Sequence, residues 1–376
     1  MAMSIGVPKE IKDQEYRVGL VPSSVQELKS FGHDVFIETQ AGAGIDISDN
    51  DYREAGATIV QTAQEVFDKA KLIIKVKEPQ SQETALLKPD HILFTYLHLA
   101  PNKILTQQLL ASGCTAIAYE TVTDLNGGLP LLAPMSEVAG RMSIQAGAHC
   151  LEKTQGGRGI LLGGVPGLKP AKVVILGGGV VGTNAATMAV GLEAHVVVID
   201  KSLPRLRALN SIFANKIDTV YATHLAIEKA ILTADLVIGA VLVPGAEAPK
   251  LLTKKMVASM QKGSVLIDVS IDQGGCFESS RPTSYSHPTY IESGVVHYCV
   301  TNMPGGVPRT STFALNHATL PFVLELANKG CQQALRDNAY LLQGLNIYEG
   351  QVTHQAVAKA LGYPNAFDHR QLFSHK

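Results

Sequence analysis

Charge is scarce in this chain, cysteines are few and scattered, and no apolar run is long. Lysine, arginine, aspartate and glutamate make up 17% of the residues, and the formal net charge is −1. No run of lysine and arginine exceeds two residues, so nothing tracks a phosphate backbone and nucleic acid is not an expected partner. A membrane is not expected either: no stretch approaches ~18 uninterrupted apolar residues, and no basic segment followed by an apolar one opens the chain. The five cysteines, Cys114, Cys150, Cys276, Cys299 and Cys331, are odd in number and form no C-x-x-C pair. They read as thiols of a reducing compartment, which makes the cytoplasm the expected location. Without an H-x-E, an H-E-x-x-H or a cysteine–histidine cluster, no metal site is expected. A G-x-S-x-G nucleophile turn is missing too.

What is present is a 376-residue chain, 46% apolar, long enough for two domains. Its most informative stretch runs from Val173 to Asp200. The apolar run Val173–Leu176 ends in Gly177-x-Gly179-x-x-Gly182, a small-residue helix pattern follows, and a second apolar run, Val196–Ile199, closes on Asp200. Gly177 suits a tight strand-to-helix turn, Gly179 lets backbone approach a pyrophosphate, and Gly182 lets the helix pack close to the sheet. The helix N-terminus offers amide donors and a partial positive charge to phosphates. Asp200, 18 residues past Gly182, is placed to accept hydrogen bonds from ribose hydroxyls. Its charge opposes a 2′-phosphate, so NAD is expected over NADP, although Lys201 and Arg205 stand nearby.

The expected architecture is α/β with two doubly wound parallel-sheet domains. About 170 residues precede the fingerprint. They alternate short strand-like and helical runs: Ser4–Val7, Ser24–Phe31, His33–Ile37, Asp51–Ala55, Leu72–Val76, Ile92–Leu97, Leu105–Ala111 and Thr115–Tyr119. After Asp200 the alternation continues through strands near Thr219–Tyr221, Leu236–Val241, Val265–Val269 and Val296–Val300. From Ser311 to about Leu345 the pattern is helical, and a helix that long is expected to return to the first domain. The Rossmann NAD domain, 136–305, then becomes an insertion in a discontinuous substrate domain, 1–135 and 306–376, with the substrate expected in the cleft. The glycine-rich segment Gly156–Gly167 reads as a connector before the first nucleotide strand rather than as a phosphate cradle.

Four polar residues stand where strands end. Arg17 follows the first strand, Lys77 ends the run Ile73–Lys77, and His98 ends the run that starts at Ile92. Asp272 follows the strand ending at Val269, ahead of Gly274 and Gly275. Strand C-termini are where α/β sheets bind ligands. An arginine fork suits a carboxylate, lysine polarises a carbonyl, and histidine titrates near neutrality. For Asp272, a turn-capping role competes with a chemical one. The Asn302–Gly306 segment reads equally as a nicotinamide contact or a hinge.

These residues lie in longer runs, GVPKEIKDQEYRVGLVP, IIKVKEP, FTYLHLA, AYETV, LPLLAPMSEVAGR, VILGGGVVG, DVSIDQGGCFE and NMPGGVPRTST among them. Through these runs the chain resembles the alanine dehydrogenase and transhydrogenase α-subunit family, on its dehydrogenase branch. The resemblance implies reversible NAD-dependent oxidative deamination of L-alanine to pyruvate and ammonium. It implies that Arg17 and Lys77 bind the substrate and that His98 and Asp272 transfer protons. Around NAD it places Ser136, Gly177, Gly179, Val180, Val181, Gly182, Asp200, Arg205, Val241, Leu242, Val269, Ser270, Ile271, Arg281, Val300, Thr301, Asn302 and Met303. It also implies a homohexamer. The alternative is a transhydrogenase-type NAD(H)-binding subunit that passes hydride to a partner chain.

Overall fold

The computed structural model describes residues 2–241 and 248–363. The first six strands are β1 (Ser4–Val7), β2 (Asp34–Glu38), β3 (Thr58–Val60), β4 (Leu72–Ile74), β5 (Ile92–Thr95) and β6 (Thr115–Ala118). Seven more form a second sheet: β7 (Lys172–Leu176), β8 (His195–Asp200), β9 (Ile217–Tyr221), β10 (Leu236–Gly239), β11 (Val265–Asp268), β12 (Thr289–Glu292) and β13 (Val295–Tyr298). The last two, β14 (Leu345–Tyr348) and β15 (Gln351–Val352), join the first sheet. Two compact units result, Met1–Met135 with Val307–Lys376, and Ser136–Gly306. No helix of the described residues is long and apolar enough to cross a membrane.

Each sheet starts in its middle and grows outward in both directions. The first has the order β3-β2-β1-β4-β5-β6-β14-β15, and the second the order β9-β8-β7-β10-β11-β13-β12. Both share the doubly wound pattern, in which chain order reverses beside the first strand and opens a crevice at the strand C-termini. In the second unit the strands are apolar on both faces. Val173 and Ile175 of β7 enter one cluster with Val196 and Val198 of β8. Val174, Leu176, Val197 and Ile199 enter another on the opposite face. That two-sided burial is why parallel strands read as continuous apolar runs.

The doubly wound α/β expectation holds with a refinement at the sheet edges, and one helix expectation needs correction. The sheets are parallel-dominated but not purely parallel, because β12 runs antiparallel to β13, β14 to β6 and β15 to β14. The helical stretch 311–345 is three helices, Pro308–Lys329, Cys331–Asp337 and Ala339–Gln343. Gly330, at φ +75°, breaks it first. Asn338 breaks it again, its side chain accepting the amides of Tyr340 and Leu341. Pro321 sits inside the first of these helices without ending it. The glycine-rich connector 156–167 leads into the N-terminal end of β7, the end away from the glycine turn.

Candidate functional site

In the second unit nearly every nucleotide candidate lies just past the C-terminal end of a parallel strand. The turn after β7 has little steric freedom. Gly177 has φ +103°, and a Cβ there would lie 2.5 Å from the Ala240 carbonyl oxygen. A Cβ on Gly182 would lie 1.8 Å from the Gly177 carbonyl oxygen, so only glycine lets the helix Val180–Gly191 sit this close to β7. Gly179 differs: a Cβ there would meet nothing within 4 Å. The helix carries no side-chain cap at Gly179, and Val180 and Val181 form its first two positions.

Asp200, at the end of β8, is bonded to backbone on both sides. Its Oδ2 accepts the Gly178 amide at 2.7 Å, and its Oδ1 accepts the Ser202 amide at 2.7 Å. Arg205 braces the same turn, its Nε donating to the Gly178 carbonyl and its Nη2 to the Thr183 hydroxyl. Past β10 and β11, the Ser270 hydroxyl donates to the Val241 carbonyl at 2.6 Å. Val269 is half-buried and Ile271 buried. Leu242 lies outside the described residues. Asp272 is exposed in the short turn Ile271–Gln273. The turn amides of Gln273 and Gly274 go to the Ser270 and Ile271 carbonyls instead, so Asp272 does not cap its turn.

The residue that shapes this loop is Asp268, which sequence reasoning missed. Fully buried, it accepts the Ser270 amide at 3.0 Å, the Cys276 amide at 2.9 Å and the Ser280 hydroxyl. Burial holds its carboxyl above the ordinary range in spite of these donors. Past β13, Val300 and Met303 are buried, Asn302 adopts φ +58°, and the Thr301 amide donates to the Thr283 carbonyl at 3.2 Å. Arg281 stands apart at the sheet edge, its guanidinium 4.0 Å from the ring centroid of Tyr290 on β12. A cavity of about 530 Å³ opens there, lined by Arg281, Ser284, His287 and Tyr290 but by no residue of the glycine turn. Ser136 is half-buried near the start of the helix Ala133–Cys150, one turn before Gly140, where a Cβ would lie 2.3 Å from the Val181 carbonyl oxygen.

In the first unit the polar candidates follow three adjacent strands, β1, β4 and β5. Arg17, 2% exposed, is held bidentately by Glu15, Nε to Oε1 at 2.6 Å and Nη2 to Oε2 at 2.6 Å. Its Nη1 points to Met135 Sδ at 3.1 Å. Burial pushes the Glu15 carboxyl up, but hydrogen bonds from Arg17 outweigh it, and the pKa comes to about 2. Lys77 is buried, and its carbonyl accepts the Thr95 hydroxyl at 3.0 Å. Beneath it lies Lys75, fully buried between Glu10 at 3.0 Å and Glu83 at 2.8 Å. Glu10 also accepts the amides of Val76 and Lys77, so one carboxylate fixes the strand end that carries Lys77. Burial raises the Glu10 carboxyl above its ordinary value against the pull of Lys75.

His98 is the least buried of the three, with 45% of its side chain exposed. Its ring stacks on Tyr96, the centroids 5.8 Å apart and the planes 9° apart, and the Tyr96 hydroxyl donates to the Leu131 carbonyl at 2.5 Å. Arg17 acts electrostatically on Tyr96, and Lys77 on Glu15. Arg17, Lys77 and His98 are therefore joined on one rim through Glu15, Glu10 and Tyr96. Sequence reasoning missed Glu10, Glu15, Lys75, Glu83 and Glu120. The available signal was Lys75, a charge inside an apolar strand run, which requires buried partners.

Fold and rims define a class: a two-unit α/β protein, one unit carrying the strand, glycine turn and helix of dinucleotide-binding domains. The N-terminal domain of the family described as alanine dehydrogenase/PNT matches residues 6–139. The C-terminal domain of that family matches residues 143–355. This chain belongs to the alanine dehydrogenase/PNT family. An alanine dehydrogenase of Halomonas elongata is 58% identical over 360 residues, which span 96% of this chain and 97% of that one. A solved L-alanine dehydrogenase superimposes with a TM-score of 0.93 at 54% identity, covering 96% of this chain and 99% of that one. A transhydrogenase from Sinorhizobium meliloti shares the fold, with a TM-score of 0.79, at 24% identity, over 94% of this chain and 99% of that one.

Proposed function

We propose that this chain catalyses the reversible NAD-dependent oxidative deamination of L-alanine to pyruvate and ammonium. The observation that carries the reading is the rim of the first unit, where an arginine, a lysine and a histidine follow adjacent strands β1, β4 and β5. On this reading, residues 1–135 and 306–376 make the substrate domain and 136–305 the NAD domain. The glycine turn fits a dinucleotide: room at Gly179, none at Gly177 or Gly182, and a carboxylate, Asp200, at the end of β8. Gly177–Gly182, Asp200, Arg205, Val241, Val269–Ile271 and Val300–Met303 would hold NAD, with Ser136, Leu242 and Arg281 assigned on the family resemblance. When bound, NAD supplies the hydride acceptor that no side chain provides.

The residues of the chain do the rest. Arg17 and Lys77 hold the substrate carboxylate, and Lys77 stabilises the carbonyl oxygen as it forms. His98 and Asp272 take up and release the protons of water addition and ammonium departure. An exposed carboxylate with no turn to cap suits that role, as does a histidine ring open to solvent on one side. Asp200 favours NAD over NADP by its charge. A cytoplasmic location and a homohexamer go with this reading, tested by fractionation and light scattering.

The test is cofactor reduction by purified protein with L-alanine and NAD⁺, run beside D-alanine, other L-amino acids and NADP⁺. Reduction that requires L-alanine and NAD⁺ is the expected result. Binding of NAD⁺ without reduction by any amino acid would sink the reading and favour the transhydrogenase-type subunit.

A further inference from the structure

We infer that Glu120 is the positioning residue of His98, fixing both its backbone and its ring. This rests on the reading of His98 as a proton-transfer group. Glu120 follows β6, the neighbour of β5, and only 16% of its side chain is exposed. Its carboxylate accepts two successive amides of the β5 loop. Oε1 takes the His98 amide at 2.6 Å, and both oxygens lie 3.2 Å from the Leu97 amide. His98 itself sits at φ +48°, in the left-handed region. A non-glycine residue is strained there and persists only where its surroundings hold it. The Glu120 carboxylate is that hold.

The same oxygen faces the ring. Glu120 Oε1 lies 4.0 Å from His98 Nδ1, longer than a hydrogen bond, while the Tyr96 ring supports the imidazole from one face. Catalytic hydrogen bonds are commonly long in ligand-free structures and close in the working complex. Closing this contact makes Nδ1 the protonated nitrogen and leaves Nε2 as the atom that exchanges a proton with substrate. Glu120 thereby selects the tautomer without touching the substrate.

The test uses the full chain with NAD⁺ and L-alanine and the variants Glu120→Gln, Glu120→Ala and His98→Ala, with the His98→Ala/Glu120→Ala double variant. Misplacing a reacting group by about 1 Å costs on the order of 10²-fold, so Glu120→Ala should lose about that in kcat with little change in the KM for NAD⁺. Glu120→Gln keeps an acceptor for the two amides, so it should fold normally and recover only part of the loss. In a protein lacking His98, removing Glu120 should cost nothing further. An equal loss with and without His98 would overturn the inference. So would His98 ring-nitrogen resonances, read by NMR on histidine-labelled protein, that stay the same in Glu120→Gln. If His98→Ala turns over normally, the proton-transfer role of His98 falls, while the ring resonances still decide whether Glu120 sets its tautomer.

Discussion

The two rims are built from different materials. In the first unit the strand ends are fixed by buried charge: Glu10, Glu15, Arg17, Lys75, Lys77 and Glu83 are all 8% exposed or less. In the second unit Asp268 is the only buried charged residue among those described, and the rim is shaped by glycines and by backbone groups that side chains such as Asp200 and Ser270 hold in place. Burying charge is costly unless each group is paired. A rim accepts that cost where side chains must meet a charged, proton-exchanging substrate. Where a ligand is met by backbone amides, absence of side chains is what matters. Substitutions on the first rim should therefore act through charge and proton transfer, and those on the second through shape.

The largest effect belongs to proton transfer. His98→Ala and Asp272→Asn should each lower turnover by about 10²–10⁴-fold while NAD⁺ affinity, measured by calorimetry, stays close to that of the parent. Asp272 also sharpens the contrast, since it is a charged side chain on the rim built from backbone. If Asp272→Asn weakened NAD⁺ binding and spared turnover, Asp272 would belong to the cofactor-holding set instead.

Breaking the buried charge comes next. Lys75→Ala leaves Glu10 and Glu83 buried without their cation, which should cost about 3–5 kcal/mol in denaturant unfolding. Glu15 adds a pH dependence with a definite sign. Its carboxyl falls from an ordinary value of 4.5 to about 2 in the fold, so the unfolded chain binds the proton first as pH drops. The stabilisation is complete above pH 4.5 and is lost as pH falls toward 2, on the order of 3 kcal/mol in all. Glu15→Gln should remove this part of the acid sensitivity. An unchanged slope of stability against pH in that window would show that the Arg17–Glu15 pair does not persist in solution.

Legibility in the sequence follows the same division. The glycine turn was readable because β7 and β8 are apolar on both faces and the turn itself is local in sequence. Lys77 and His98 were readable because a polar residue closing an apolar run marks a strand end, and Arg17 because it stands in the loop that follows the first strand. Their supports were not. Glu10 and Glu15 lie 65 and 2 residues from the cations they hold, and Glu120 lies 22 residues from His98. Glu15 is local to Arg17, but only sheet order, β4 beside β1 and β6 beside β5, brings Glu10 to Lys75 and Glu120 to His98. The antiparallel edges β12, β14 and β15 were missed because they pair with β13, β6 and β14 outside the strand–helix alternation by which the parallel strands were read. The long C-terminal helix was read as one because helical periodicity continues across Gly330 and Asn338, where the backbone does not.

The smallest effects come from two glycines of one turn. Gly182→Ala would put a methyl group 1.8 Å from the Gly177 carbonyl oxygen, so the helix must move off β7. Overpacking of this kind costs about 1–3 kcal/mol, read as a lower melting temperature without any ligand. Gly179→Ala should do nothing of the sort. Gly179 has φ −66° and ψ −158°, a conformation alanine adopts, and its Cβ would meet no atom within 4 Å. Stability in the absence of ligand should change by less than about 1 kcal/mol, since alanine narrows the unfolded ensemble but suits the N-cap position less well than glycine. Only the affinity for NAD⁺ should fall, because the space the methyl group fills is the space a pyrophosphate would need. A Gly179→Ala protein that bound NAD⁺ as well as its parent would show that the backbone at Gly179 is not where the cofactor comes closest.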